Sequence, residues 1–437
     1  MGVAALTLAA PAASADSTAD AVSAWNENAR KAAIAACISP VGPSPAEARL
    51  YAMTHVAIHD ALNAIDPRSK AYAYHGRTLR ATSPEAAIAA AARGVLVPIL
   101  GELTTLKPAC VDAAAASVEA DYTAALAAIG DSAAKTRGIA LGQAAAGAIL
   151  RVRSKDHMQR LLLPDFDYDE GSDPGEYRFT GLPFAFASHL GRLAPFVLRD
   201  GSQFRPGPPH AVTDPRYTAD LNEVKRLGGD GITTTSARTP DQTEIALFWY
   251  ESSPLQWNRI AEDLAVRTGL DAWERARLFG LLNMALIDGY IGSFETKYEY
   301  DYWRPVTAVR LAATDGNPDT AGDPSWTPLR ETPEIPDYDS GHSVEGGAGA
   351  GVLRRFFGTD DMRFSTCSTT LEHAANNCGG TTARYRAYGS FTQAAEENAA
   401  SRIYIGFHFR EATAVGTRHG GRIADRVVDR SLQPRVR

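Results

Sequence analysis

Apolar residues recur three and four positions apart along most of this chain, the spacing that gathers them on one helical face. The pattern is clear over residues 46–65, 84–100 and 131–152, within an Ala-rich N-terminal half. It fails from Ser154 to about Pro240, where Pro164, Pro174, Pro183, Pro195, Pro206, Pro208 and Pro209 stand among glycines and aromatics. Helical spacing returns over 241–249, strengthens over 271–294, and resumes over 344–357, 391–407 and 417–432. Alternating strand patterns are scarce and no solenoid period is visible. The predicted fold class is all-α, two helical bundles in one integrated unit. Residues 16–153 form the N-terminal helical half, 154–240 a Pro/Gly-rich crossover, and 241–437 the C-terminal bundle. The crossover's Phe, Tyr and Leu content predicts order.

Composition narrows the function. With 437 residues, 45% of them hydrophobic, the chain can bury a sizeable core. Its formal charge is −7 with both signs mixed along the length. The absence of a basic run argues against a nucleic-acid partner. Residues 1–15 are apolar and end in Ala13-Ser14-Ala15, which reads as a signal peptide remnant of a secreted protein. No other run approaches the roughly 18 apolar residues of a membrane span, so no transmembrane segment is expected. Four cysteines suit an oxidising compartment. Cys367 and Cys378 close a short polar segment and are expected to pair, leaving Cys37 with Cys110.

Three C-terminal segments carry chemistry. In Lys297-Tyr-Glu-Tyr-Asp-Tyr-Trp-Arg304-Pro305, two cations seven apart lie near one helical face, and Pro305 ends the helix at Arg304. Two cations so placed call for an anion between them. In Tyr338-Asp339-Ser340-Gly341-His342-Ser343, a hydroxyl and an unobstructed N–H precede a helix whose N-terminus attracts negative charge. His342 can exchange a proton near neutral pH. The third segment, Ser401-Arg402-Ile-Tyr-Ile-Gly406-Phe-His408, sets an Arg and a His in an apolar helical pattern, where both need partners.

Taken together, Lys297, Arg304-Pro305, Ser340-Gly341-His342, Ser401-Arg402 and His408 resemble the vanadium-dependent haloperoxidases and the related type-2 phosphatidic-acid and bacterial acid phosphatases. The spacing agrees within each motif, and the likeness runs from about residue 236 to 425. Asp288 to Phe294 and Tyr300 to Trp303 look more like the haloperoxidase branch. The resemblance implies that Lys297, Arg304 and Arg402 neutralise the equatorial oxygens of vanadate, with Ser340 and the Gly341 N–H donating to them. It makes His408 the axial ligand to vanadium and His342 the acid–base group. The implied substrates are hydrogen peroxide with a halide or a small organic molecule. Phosphate fits the same pocket, and in a phosphatase His408 would be the nucleophile. A scaffold that binds the oxyanion without turnover is the third reading. Glu251 stands roughly where the family places the carboxylate that orients Arg402.

Departures from the family pattern are also present. Asp339 replaces the usual Pro before Ser340, and Ile335 sits where haloperoxidases often carry an aromatic or a His. Ala412 stands four residues after His408, where phosphatases carry an Asp that orients the His. That loss tilts the reading toward the haloperoxidase branch. His55 and His59 have zinc-ligand spacing but read as a packed, hydrogen-bonded pair. Asp165, Asp167, Asp169 and Glu170 read as a solvated acidic loop, because an EF-hand's Gly and later Glu are missing. His189, His210, His373 and His419 receive no role.

Overall fold

A computed structural model describes residues 14–103, 108–371, 378 and 383–435. The signal peptide remnant expected over residues 1–15 lies outside them up to residue 13. Helices α1 (Ser14–Ala35), α2 (Ser44–Ile65), α3 (Pro84–Glu102), α4 (Pro108–Ala127) and α5 (Ala133–Val152) build the N-terminal half. Small side chains let them pack closely, and Ala87, Ala91 and Ala92 of α3 are fully buried. By length and composition α3 is apolar enough to cross a membrane, where no transmembrane segment was expected. Most of it is buried in this core, which accounts for its apolar character.

The crossover, residues 154–240, follows. It holds α6 (Met158–Leu161), the paired strands β1 (Pro164–Asp165) and β2 (Ala185–Phe186), and α7 (Pro215–Leu227). Here and in the N-terminal half, a helix carboxylate pins irregular backbone. Asp288 accepts from the N–H groups of Phe196, Val197 and Leu198 at 2.6, 2.8 and 3.0 Å. Asp60 does the same for Tyr72, Ala73 and Tyr74. Buried N–H groups without ladder partners are thereby satisfied.

The C-terminal part comprises α8 (Pro240–Phe248), α9 (Ser253–Arg267), α10 (Ala272–Tyr300), α11 (Pro305–Leu311), α12 (Gly341–Phe357), the hairpin β3 (Phe364–Cys367) with β4 (Tyr385–Tyr388), α13 (Phe391–Tyr404) and α14 (Arg410–Arg430). A reciprocal capping box between Asp271 and Glu274 starts α10. This helix is buried along nearly its whole length and packs on both α2 and α12. One apolar cluster therefore runs from Ala19 to Leu432, which makes the two bundles one unit. Helices α12 and α14 approach until a Cβ on Gly347 would strike Thr417 O and one on Gly420 would strike Val344 O.

Two boundaries differ from the expected ones. Helix α10 ends at Tyr300, because Asp301 turns left-handed at φ 44°. Arg304 is thus off the Lys297 helix, extended ahead of Pro305, which opens α11. Likewise α13 stops at Tyr404, Gly406 reverses the chain at φ 86°, and α14 begins at Arg410. His408 lies in that connection and not on a helix. Both disulfides, Cys37–Cys110 and Cys367–Cys378, pair as expected. Such bonds persist in oxidising compartments.

Candidate active site

These turns bring the three motif segments into one buried pocket. Lys297, one turn from the end of α10, donates to the carbonyls of Pro336 and Asp337, at 2.9 Å each. Arg304 donates to Ile335 O at 2.6 Å, to Phe407 O at 2.9 Å and to His408 Nε2 at 3.0 Å. Arg402 donates to Trp249 O at 3.3 Å, lies over the Phe407 ring, and leaves its Nε without a partner. The three side chains are 1%, 1% and 3% exposed. Among the described residues no carboxylate forms an ion pair with any of them.

Burying cations this way is costly, and their proton affinities register it. Burial first, and Arg304 second, lower the Lys297 pKa to about 7. Burial brings Arg402 down to about 9. Main-chain carbonyls fix the geometry of Lys297 and Arg304 without cancelling their charge, so the pocket stays electropositive.

Ser340 caps α12 but makes no side-chain cap bond. Its Oγ accepts from Ser343 Oγ at 3.0 Å, which leaves its own hydrogen to donate. Gly341 opens the helix, and a Cβ there would meet only Ser293 Oγ within 4 Å, at 3.8 Å. Open space beside a helix N-terminal N–H suits an anion. Half-buried His342 leaves Nε2 unpartnered. Burial, then Arg402, then Lys297 and Arg304 hold its pKa well below the ordinary value, while a backbone hydrogen bond with Glu251 opposes them. His408 is held low by burial and the same three cations.

The structure corrects one expected contact. Glu251 does not reach Arg402; its carboxylate forms a bidentate pair with Arg259 at 2.9 and 2.9 Å and accepts from Thr369. Arg259 is close in sequence, and the fork satisfies both oxygens. Asp339, the replacement for Pro, forms no ion pair with the three cations among the described residues. It accepts from Ser293 Oγ at 2.8 Å and pairs with His419 Nδ1 at 2.8 Å.

Asp337, which sequence reasoning passed over, touches His408 directly. Its Oδ1 lies 2.8 Å from His408 Nδ1, and it is 1% exposed. Burial pushes its pKa up to about 8 against the opposing pull of Arg304 and Lys297. Its spacing from His408 follows no local motif, so the only signal was an acidic residue three before Ser340. His55 and His59 are hydrogen-bonded core residues, to Asn26, and to Asp60 and Ser69, respectively. In the acidic loop, Asp165 accepts from Ser188 Oγ and Glu170 from Phe179 N.

Residues 277–435 match the family described as the VCPO second helical-bundle domain. The match is to part of the chain, its C-terminal bundle. A vanadium chloroperoxidase from Curvularia inaequalis is 30% identical to this chain over 217 residues. The match takes in 42% of this chain and spans 35% of that relative's length. The fold is shared more widely. The first bacterial vanadium-dependent iodoperoxidase structure superposes with a TM-score of 0.75 at 22% identity, over 98% of this chain and 99% of that one. A holo-type bacterial vanadium-dependent chloroperoxidase gives 0.65 at 16% identity, over 88% and 90%. The matched residues include Lys297, Arg304, Ser340, Gly341, His342, Arg402 and His408.

Proposed function

We propose that this chain is a vanadate-dependent, haloperoxidase-like enzyme that oxidises a halide or small organic substrate with hydrogen peroxide. The observation that carries the reading is three buried cations with no carboxylate ion-pair partner among the described residues, facing two histidines and a helix N-terminus. The residues fit vanadate: Arg402 Nε and His342 Nε2 are buried without partners, and the space beside Gly341 is open. Lys297, Arg304 and Arg402 would balance the oxyanion's charge, with Ser340 Oγ–H and Gly341 N–H donating to it. Bound there, vanadate supplies Lewis-acid activation of peroxide at a constant oxidation state.

The protein's own contribution is positioning and proton handling. Arg304 Nη1 donates to His408 Nε2, so that nitrogen is unprotonated and would ligate once Arg304 turns to the oxyanion. His342 is kept neutral by burial and then by the cations, and would take a proton from peroxide as it enters. The same pocket would hold phosphate. Ala412 does not count against a phosphatase, because Asp337 already supplies His408 with a carboxylate. The preference for the haloperoxidase chemistry rests on the superfamily match.

The test is bromination of monochlorodimedone by purified apo-protein, with peroxide and bromide, before and after adding orthovanadate. Activity that arises only with vanadate supports the proposal. Hydrolysis of p-nitrophenyl phosphate without bromination places the chain with the phosphatases, and oxyanion binding without either turnover makes it a binding scaffold.

A further inference from the structure

We infer that Asp337 is the positioning residue of His408, taking over from the loop before α12 the role that position 412 at the start of α14 has lost. The inference rests on the reading of His408 as the residue that meets the oxyanion. Three observations converge. Asp337 Oδ1 is 2.8 Å from His408 Nδ1, while the other ring nitrogen accepts from Arg304 at 3.0 Å. A neutral imidazole has one N–H, so the two contacts together place it on Nδ1 and turn the bare Nε2 toward the cations. Asp337 is itself held by its main chain, with its N–H donating to Tyr302 O at 2.8 Å and its carbonyl accepting from Lys297.

The third observation is the space around it. Asp337 and Ala412 line one cavity of about 10 Å³ together with Asp220, Glu411, His210 and Tyr217. That is room for about one water, and both Asp337 Oδ2 and Tyr217 Oη are buried without partners. The Ser340 N–H donates to Ala412 O at 3.1 Å, so the loop and the start of α14 are already in register. Positions 337 and 412 border the same cavity. Glu411 does not serve, because it is engaged by His210.

The test moves the carboxylate. In ligand-free protein labelled with [15N]histidine, His408 (assigned by loss of its signals in His408→Gln) should be the single Nδ1–H tautomer. Asp337→Ala should lose that single tautomer and weaken orthovanadate binding on the order of tenfold or more, as loss of an outer partner does at metal sites. The double variant D337A/A412D should recover both. Asp337→Asn, which keeps an acceptor oxygen, should hold the wild-type tautomer even if the Ala variant fails to fold. The inference is overturned if folded Asp337→Ala keeps the wild-type tautomer. It is equally overturned if Asp337→Asn loses it, or if the folded double variant behaves like Asp337→Ala. The tautomer needs no oxyanion, so wild-type protein that bound no vanadate would sink the proposed function separately.

Discussion

Two buried groups of cations in this molecule stand in opposite states of charge balance. Around Asp156, Arg49 and Arg153 are 3% and 4% exposed, and both reach its carboxylate, at 3.0 and 2.8 Å. Arg49 also meets Glu102 at 3.2 Å, and Arg153 lies over the Phe196 ring. In the pocket, Lys297, Arg304 and Arg402 are buried as deeply but are held by carbonyls, a histidine and a ring face. Both arrangements fix the side chains. Only the second leaves positive charge uncancelled, and an uncancelled charge in a dry site is a large cost unless a ligand offsets it. The missing carboxylate distinguishes a site from a scaffold.

The contrast can be broken in several ways. His408→Ala should have the largest effect, reducing turnover to background while leaving the fold intact, as a melting curve and an activity assay would show. Asp156→Ala removes the carboxylate two buried arginines share, leaves Arg153 without a carboxylate, and should cost about 3–5 kcal/mol of stability, read as a large drop in melting temperature. Lys297→Met removes a charge that has no partner, so ligand-free stability should hold or rise. Orthovanadate affinity should fall roughly 10–100-fold, the value of a charge-assisted bond. A destabilised Lys297→Met would show that the pocket charge is balanced after all.

Protonation gives a finer distinction. The folded Lys297 value of about 7 lies below its ordinary 10.5. Its buried charge opposes folding fully below about pH 7, and the penalty lifts as pH rises toward 10.5. An oxyanion favours the ammonium form, so binding at pH 8 should draw a proton onto Lys297. Calorimetry in buffers of different ionisation enthalpy should show this uptake in wild type and its loss in Lys297→Met. The smallest effect is expected from Glu251→Gln: vanadate affinity should stay near wild type, because that carboxylate serves Arg259 and not Arg402. A large loss would restore Glu251 to the pocket.

What the sequence made legible was local. Apolar spacing announced the helices, and Lys297, Arg304, Ser340-Gly341-His342, Arg402 and His408 stood out because short segments carried them in order. The start of α12 was readable because a Ser-Gly pair ahead of an apolar run is a local signal. What escaped depends on distant backbone. Asp337 meets His408 across 71 positions, and Asp339 meets His419 across 80. Asp301 carries no sign that it will turn left-handed and set Arg304 off the α10 axis. Glu251 was misplaced for the opposite reason: a nearer partner, Arg259, eight residues on, takes its carboxylate.

The most direct test of the central claim is a calorimetric titration of ligand-free protein with orthovanadate, repeated with Lys297→Met. The account predicts saturable binding of one oxyanion per chain, competed by phosphate and weakened in the variant. Absence of binding, or equal affinity in the two proteins, would contradict the claim that these uncancelled cations form an oxyanion site.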